Sequence, residues 1–149
     1  MIGPTPIDDL PGKVAALRSA LQKAMPNRVH KDGYRRDIDE HLPDELRDGV
    51  VMLVAGTESD YSDRLGMEAR EGDLRLALVI EFRIDADDNG AEVERQELAM
   101  AEEIKDFVRA GVPGIGLDLG SIYTSSQQIT PYGFVVAELI AGPPRHTLN

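Results

Sequence analysis

The sequence predicts an α+β domain, with a mixed, largely antiparallel sheet of about five strands and two helices packed on it. Three observations carry this expectation. Leu74, Leu76, Leu78, Ile80, Phe82 and Ile84 take every even position of "LRLALVIEFRI", and period two over eleven residues makes a long strand with one face on a core. Two segments show helical spacing instead, one near the N-terminus and one after the long strand. The elements then fall in the order α-β-β-β-α-β-β, which places the helices against one sheet rather than between parallel strands.

In the first helix, Val14, Leu17, Leu21 and Ala24 recur at helical spacing. Asp8 or Asp9 supplies the N-cap, Pro11 is tolerated in the first turn, and Pro26 ends the helix. Residues 27–48 carry both charge signs and little periodicity, which suggests a long connection with a short strand near Tyr34 and a single turn after Pro43. "GVVMLVAG" at 49–56 is a continuous apolar run with β-branched residues, expected as a strand buried on both faces. "TESDYSD" at 57–63 is expected as a polar loop. Alternation of Leu65, Met67 and Ala69 suggests a strand at 64–70, joined as a hairpin to the long strand through the turn residues 71–73.

The second helix is expected over about 92–109, with Val93, Leu98, Ala101, Ile104, Phe107 and Val108 as its apolar stripe and Gly111 with Pro113 as its stop. Two more strands follow, near 116–124 and 132–140. The second of them, "GFVVAELIAG", is apolar enough to lie centrally. Residues 1–149 read as one domain, with a loose tail at 142–149.

Composition narrows the function. Hydrophobic residues are 42%, charged residues 29% and aromatics 5%, so the core must be aliphatic. A net charge of −11 repels phosphate and disfavours nucleic-acid and anionic-membrane partners. With no cysteine there are no disulfides, thiolate chemistry or cysteine zinc sites. "MIGPTPIDDLPGK" lacks the basic and apolar regions of a signal peptide, and no apolar run is long enough to span a membrane. A soluble intracellular protein is expected.

"RIDADDNGAEVERQ" at 83–96 reproduces the first half of an EF-hand loop at Asp85, Asp87 and Asn89, followed by Gly90. Such a loop needs a bidentate Glu at position 12. That position is Gln96, and the stretch follows a strand rather than a helix. The turn from strand to helix explains Asp, Asn and Gly better, with Glu92 and Glu94 favoured by the positive end of the helix dipole. A weak divalent site on Asp85, Asp87 and Asp88 remains as a minority reading. No metal or cofactor is expected otherwise.

Other candidates weaken on inspection. "GVPGIGLDLG" at 111–120 follows a helix and leads into a strand, the reverse of a dinucleotide fingerprint. "DIDEHLPDE" at 37–45 gathers carboxylates around His41, which could bind metal or transfer protons. His30 and His146 are remote in sequence, and a solvated charged connection fits better. "RVHKDGYRR" at 28–36 has the flavour of a phosphate contact, but Asp37, Asp39 and Glu40 cancel its field. Nothing assembles a nucleophile, base and oxyanion site, so no enzyme is expected.

The order and texture of residues 13–140 resemble the tail terminator family of long-tailed bacteriophages, the relatives of the phage lambda minor tail protein U. The resemblance rests on the amphipathic "VAALRSALQKAM", the Leu42-Pro43 pair, the strand and loop "VVMLVAGTESDY", and the long strand "LRLALVIEFRIDA". The acidic loop, second helix and closing hairpin complete it. The chain departs from the family pattern in its longer 27–48 connection, with an extra "PDELRD". The resemblance implies a structural virion protein, assembled in the host bacterial cytoplasm. It would form a homo-oligomeric ring, usually of six subunits, that ends tail-tube growth and offers a surface for head joining.

The implied partners are other copies of the chain, the tail tube protein and the head–tail connector. The loops expected to project from the sheet ends are the assembly candidates: Thr57, Glu58, Ser59, Asp60, Tyr61 and Asp63, with Asp85, Asp87, Asp88 and Asn89. Like-charged subunits repel, so ring formation is expected to respond to salt, a divalent cation or the tube itself. The alternatives are a head–tail connector or tail-completion protein, a small divalent-cation-binding or regulatory module, and an enzyme built on the His41 cluster.

Overall fold

The structure is a computed structural model describing residues 5–34, 37–61, 72–84 and 90–144 of the chain. The first helix, α1, spans Leu10–Ala24. Asp9 caps it, its carboxylate accepting the Gly12 N–H at 2.9 Å. Then come β1 (Val29–Lys31), a 3-10 turn (Ile38–Glu40), α2 (Pro43–Asp48), β2 (Val50–Ser59), β3 (Asp73–Arg83), α3 (Gly90–Ala110), β4 (Gly116–Thr124) and β5 (Tyr132–Gly142). Gly111, at φ +78, stops α3 in a backbone conformation that a side chain disfavours.

Five strands form one mixed sheet in the order β1-β2-β3-β5-β4. β1 runs parallel to β2, and the other three pairings are antiparallel. The α+β class is therefore as expected, with a third helix where one turn was anticipated. The short strand lies at 29–31 rather than near Tyr34.

The long strand β3 takes β2 on one side and β5 on the other. The hairpin partner expected at 64–70 lies outside the described residues. Strand β2 runs on to Ser59 through a bulge between Ala55 and Glu58, so Thr57, Glu58 and Ser59 belong to a strand and not to a loop. The apolar run that starts β2 is buried only at Val50–Leu53, and Val54 is already exposed.

Period two puts the even residues of β3 on the main core face. There Leu74, Leu76, Leu78, Ile80 and Phe82 join Leu17 and Leu21 of α1, Val93, Met100, Ile104 and Phe107 of α3, and Val135, Ala137 and Leu139 of β5. Each of these Leu, Ile, Val, Met and Phe side chains contributes about 1.5–3 kcal/mol when fully buried. A lysine closes one end of this core: Lys13 Nζ donates to the carbonyls of Gly72 (3.3 Å) and Ala141 (3.5 Å) and lies 3.9 Å from Glu58 Oε2.

The buried side of α3 is Val93, Glu97, Met100, Ile104 and Phe107. Val93, Ile104 and Phe107 of the expected stripe are buried, but Glu97 and Met100 take the places expected for Leu98 and Ala101, and Leu98 is 55% exposed. The reason is the polar contact that Glu97 makes beneath the helix. Close approach is permitted by Gly133, where an added Cβ would run into the Phe82 ring and lie 2.8 Å from Val93 Cγ1.

Helix α2 covers the opposite face of the sheet. Leu46 packs there with Val50, Met52 and Val79, bordered by Val29, Ile38, Ala77, Tyr132 and Val136. Among the described residues, one face is therefore covered by α1 and α3, and the other only in part. Among the described residues, no helix is long and apolar enough to cross a membrane.

Candidate functional site

The part of the second face that α2 leaves bare lies over β2, β3, β5 and β4. An open cavity of about 340 Å³ runs across it, floored by Val54, Ala77 and Val136 and bordered by Tyr123. Tyr123 is 58% exposed and Val54 37%. Tyr123 stands edge-on to Phe134, ring centroids 6.4 Å apart. The charges at this surface cancel, because Arg75 pairs with Glu138 at 3.1 Å. An apolar, locally neutral area on a chain of net charge −11 is suited to contact with another protein.

The edge strand β4 is less suited to it. A register shift between Leu119 and Ser121 interrupts its pairing with β5, and bulges of this kind blunt edge-to-edge addition.

The assembly residues expected from sequence are only partly brought together. Thr57 is exposed on the β2 bulge. Glu58 turns toward Lys13 and accepts the Tyr61 hydroxyl at 2.7 Å. That hydrogen bond, with some burial, raises the Tyr61 pKa above its ordinary value. Ser59 pairs with Asp73 across the strands, and Asp60 follows at φ +64. Asp63, Asp85, Asp87, Asp88 and Asn89 lie outside the described residues.

His41 is not solvated. It is buried under the 37–48 connection, with Nε2 2.8 Å from Glu81 Oε1 of β3 and Nδ1 3.2 Å from Lys31 Nζ of β1. Lys31 also donates to Glu45 Oε1 at 2.9 Å, and the same oxygen accepts the Leu42 N–H at 2.9 Å. The Lys31 hydrogen bond first, and the Leu42 N–H after it, hold the Glu45 carboxyl below its ordinary value. Burial pushes Glu81 up, opposed by His41. The relay Glu81–His41–Lys31–Glu45 ties the connection to the sheet. Its His41–Glu81 contact is buried, and the relay acts as a latch. The neighbours written beside His41 in the sequence do not supply its partner. Glu81 does, from forty residues away.

Sequence reasoning missed Glu97. It is 1% exposed, and its Oε2 accepts Ser125 N–H (3.1 Å), the Ser125 hydroxyl and Phe134 N–H (3.0 Å). One carboxylate oxygen thereby anchors the β4–β5 connection to α3. The signal was present in the spacing 93, 97, 100, 104, which is a better heptad stripe than one through Leu98.

Among the described residues, no three His, Cys, Asp or Glu side chains come together as a metal cluster. No family model matches this chain, and no curated protein matches it significantly.

Proposed function

We propose that the protein is a structural assembly subunit of a long bacteriophage tail. In this reading it is a tail terminator whose copies form a ring at the head-proximal end of the tube, stop its growth and present a surface to the head connector. The observation that carries the reading is the half-covered sheet. Among the described residues, an apolar, charge-balanced area with exposed Val54 and Tyr123 and half-buried Ala77 and Val136 stays uncovered on a strongly acidic chain. Like-charged copies repel over most of their surfaces, so they associate best where charge is already cancelled. His41 is buried against Glu81 rather than set in an open cleft, which supports a structural reading over an enzymatic one.

The test is light scattering on a sizing column across protein concentrations and ionic strengths. A ring of six gives about 98 kDa, six times 16.3 kDa. Val54→Asp or Tyr123→Asp places a charge on the bare face and should shift the ring to monomers while leaving the melting temperature within a few degrees. A protein that is monomeric throughout, and that also fails to halt tube growth when added to polymerising tube protein, would remove the reading.

A further inference from the structure

We infer that the cavity between α3 and the start of the β4–β5 connection binds a hard divalent cation of the Ca²⁺ type, with Glu97 as its innermost ligand. This inference is independent of the ring. It starts from an imbalance at Glu97. Oε2 receives three donors, Ser125 N–H, Ser125 O–H and Phe134 N–H. Oε1 is buried and receives none among the described residues. No ion pair among the described residues reaches Glu97 either. Buried charges are ordinarily paired or bound to metal, and a buried oxygen without a donor marks the place of an ion or a water.

The surroundings have the right chemistry. Glu97 forms part of the wall of an open cavity of about 280 Å³ with Glu94, Thr124, Ser126, Gln127 and Leu98. Only Leu98 lacks a side-chain oxygen. Gln127 Nε2 donates to Glu94 Oε2 at 2.6 Å, which holds the amide and the second carboxylate at one mouth of the cavity. Two carboxylates, an amide carbonyl and hydroxyls, completed by water, make an oxygen set of the kind that Ca²⁺ accepts. Mg²⁺ gives up its water reluctantly and demands stricter geometry, so it is expected to bind more weakly.

A cation there would join α3 to residues 124–127, where Ser126 and Gln127 already hold left-handed backbone (φ +54 and +65). These ligands are other residues than Asp85, Asp87 and Asp88, whose spacing imitates a calcium loop.

Calorimetric titration of the full chain with CaCl₂ and with MgCl₂ tests the inference, with melting temperature as a second readout. The expected result is one Ca²⁺ per chain, bound more tightly than Mg²⁺. Affinity should fall at least about tenfold in Glu97→Gln and in Glu94→Gln, as loss of ligand charge weakens oxygen sites. Glu94 is exposed, so Glu94→Gln should fold even if Glu97→Gln does not, and it decides the matter alone in that event. Two results overturn the inference. One is the absence of Ca²⁺ binding up to about 10 mM, beyond the weakest class of protein calcium sites. The other is binding that survives Glu94→Gln but is lost in Asp85→Asn with Asp87→Asn.

Discussion

Glu81 and Glu97 are both buried carboxylates at the sheet, and they are held in opposite ways. Glu81 sits on β3 and meets a titratable side chain, His41, which passes the contact on to Lys31 and Glu45. Glu97 sits on α3 and meets backbone N–H groups and a hydroxyl. The first arrangement ties down a surface connection with side chains that could be exchanged together. The second satisfies main-chain donors that every substitution but proline keeps. The two sites should therefore differ in whether a second mutation repairs the damage done by a first.

The largest effect is expected for Glu97→Leu, which strands the buried N–H and hydroxyl of Ser125 and the part-buried N–H of Phe134. Urea denaturation should show a loss of about 3 kcal/mol or more. A loss under about 1 kcal/mol would mean that water replaces the carboxylate without cost, and the anchoring role would be lost with it.

His41→Leu comes next, because it leaves Glu81 buried without its partner, at about 2–3 kcal/mol. Adding Glu81→Met should recover most of that loss, since an apolar pair of similar volume is often as stable as a buried ionic one. If the double variant is no better than the single one, the latch depends on more than this pair.

Proton linkage gives a smaller effect. Burial raises the Glu81 pKa in the folded state above its ordinary 4.5. The folded protein therefore holds that proton more tightly than the unfolded chain does. The contribution is fully present below about 4.5 and is lost as pH rises through the folded value. In Glu81→Gln this contribution disappears, so the variant should gain on the wild type as pH increases across that window. Denaturation midpoints measured from pH 3 to pH 8 should show the stability of the variant minus that of the wild type rising with pH, and a falling difference would contradict the direction.

The smallest effect is expected at Leu98→Ser, one residue from the anchor. Leu98 is exposed, so its replacement should change stability by no more than about 0.5 kcal/mol. A large loss there would return the buried stripe to the position expected from apolar residues alone.

Much of the fold was legible in local pattern. The even-numbered leucines of β3, the Asp9 cap, the Gly111 stop and the two closing strands follow from period, caps and turn chemistry, which depend on near neighbours. Helix α3 shows where that reading reaches its limit. An apolar residue one step from a heptad position outweighed a glutamate on it, because the partners of Glu97 lie 28 and 37 residues further along. His41 was misplaced for the same reason, its partner being on β3. The candidate assembly face was hidden more deeply, since Val54, Ala77, Tyr123 and Val136 come from four strands. Their meeting depends on strand order, and their exposure depends on how far α2 reaches.

By itself, then, the sequence determined the class of fold, the aliphatic core and the acidic, cysteine-free chemistry. These follow from composition and from contacts a few residues apart. Tertiary structure alone decided the strand order, the placement of α2 on the second face, the burial of Glu97 and His41, and the bare apolar area. Each of these rests on contacts between residues far apart in the chain, whose pairing is chosen by packing and by the cost of leaving buried polar groups unmatched.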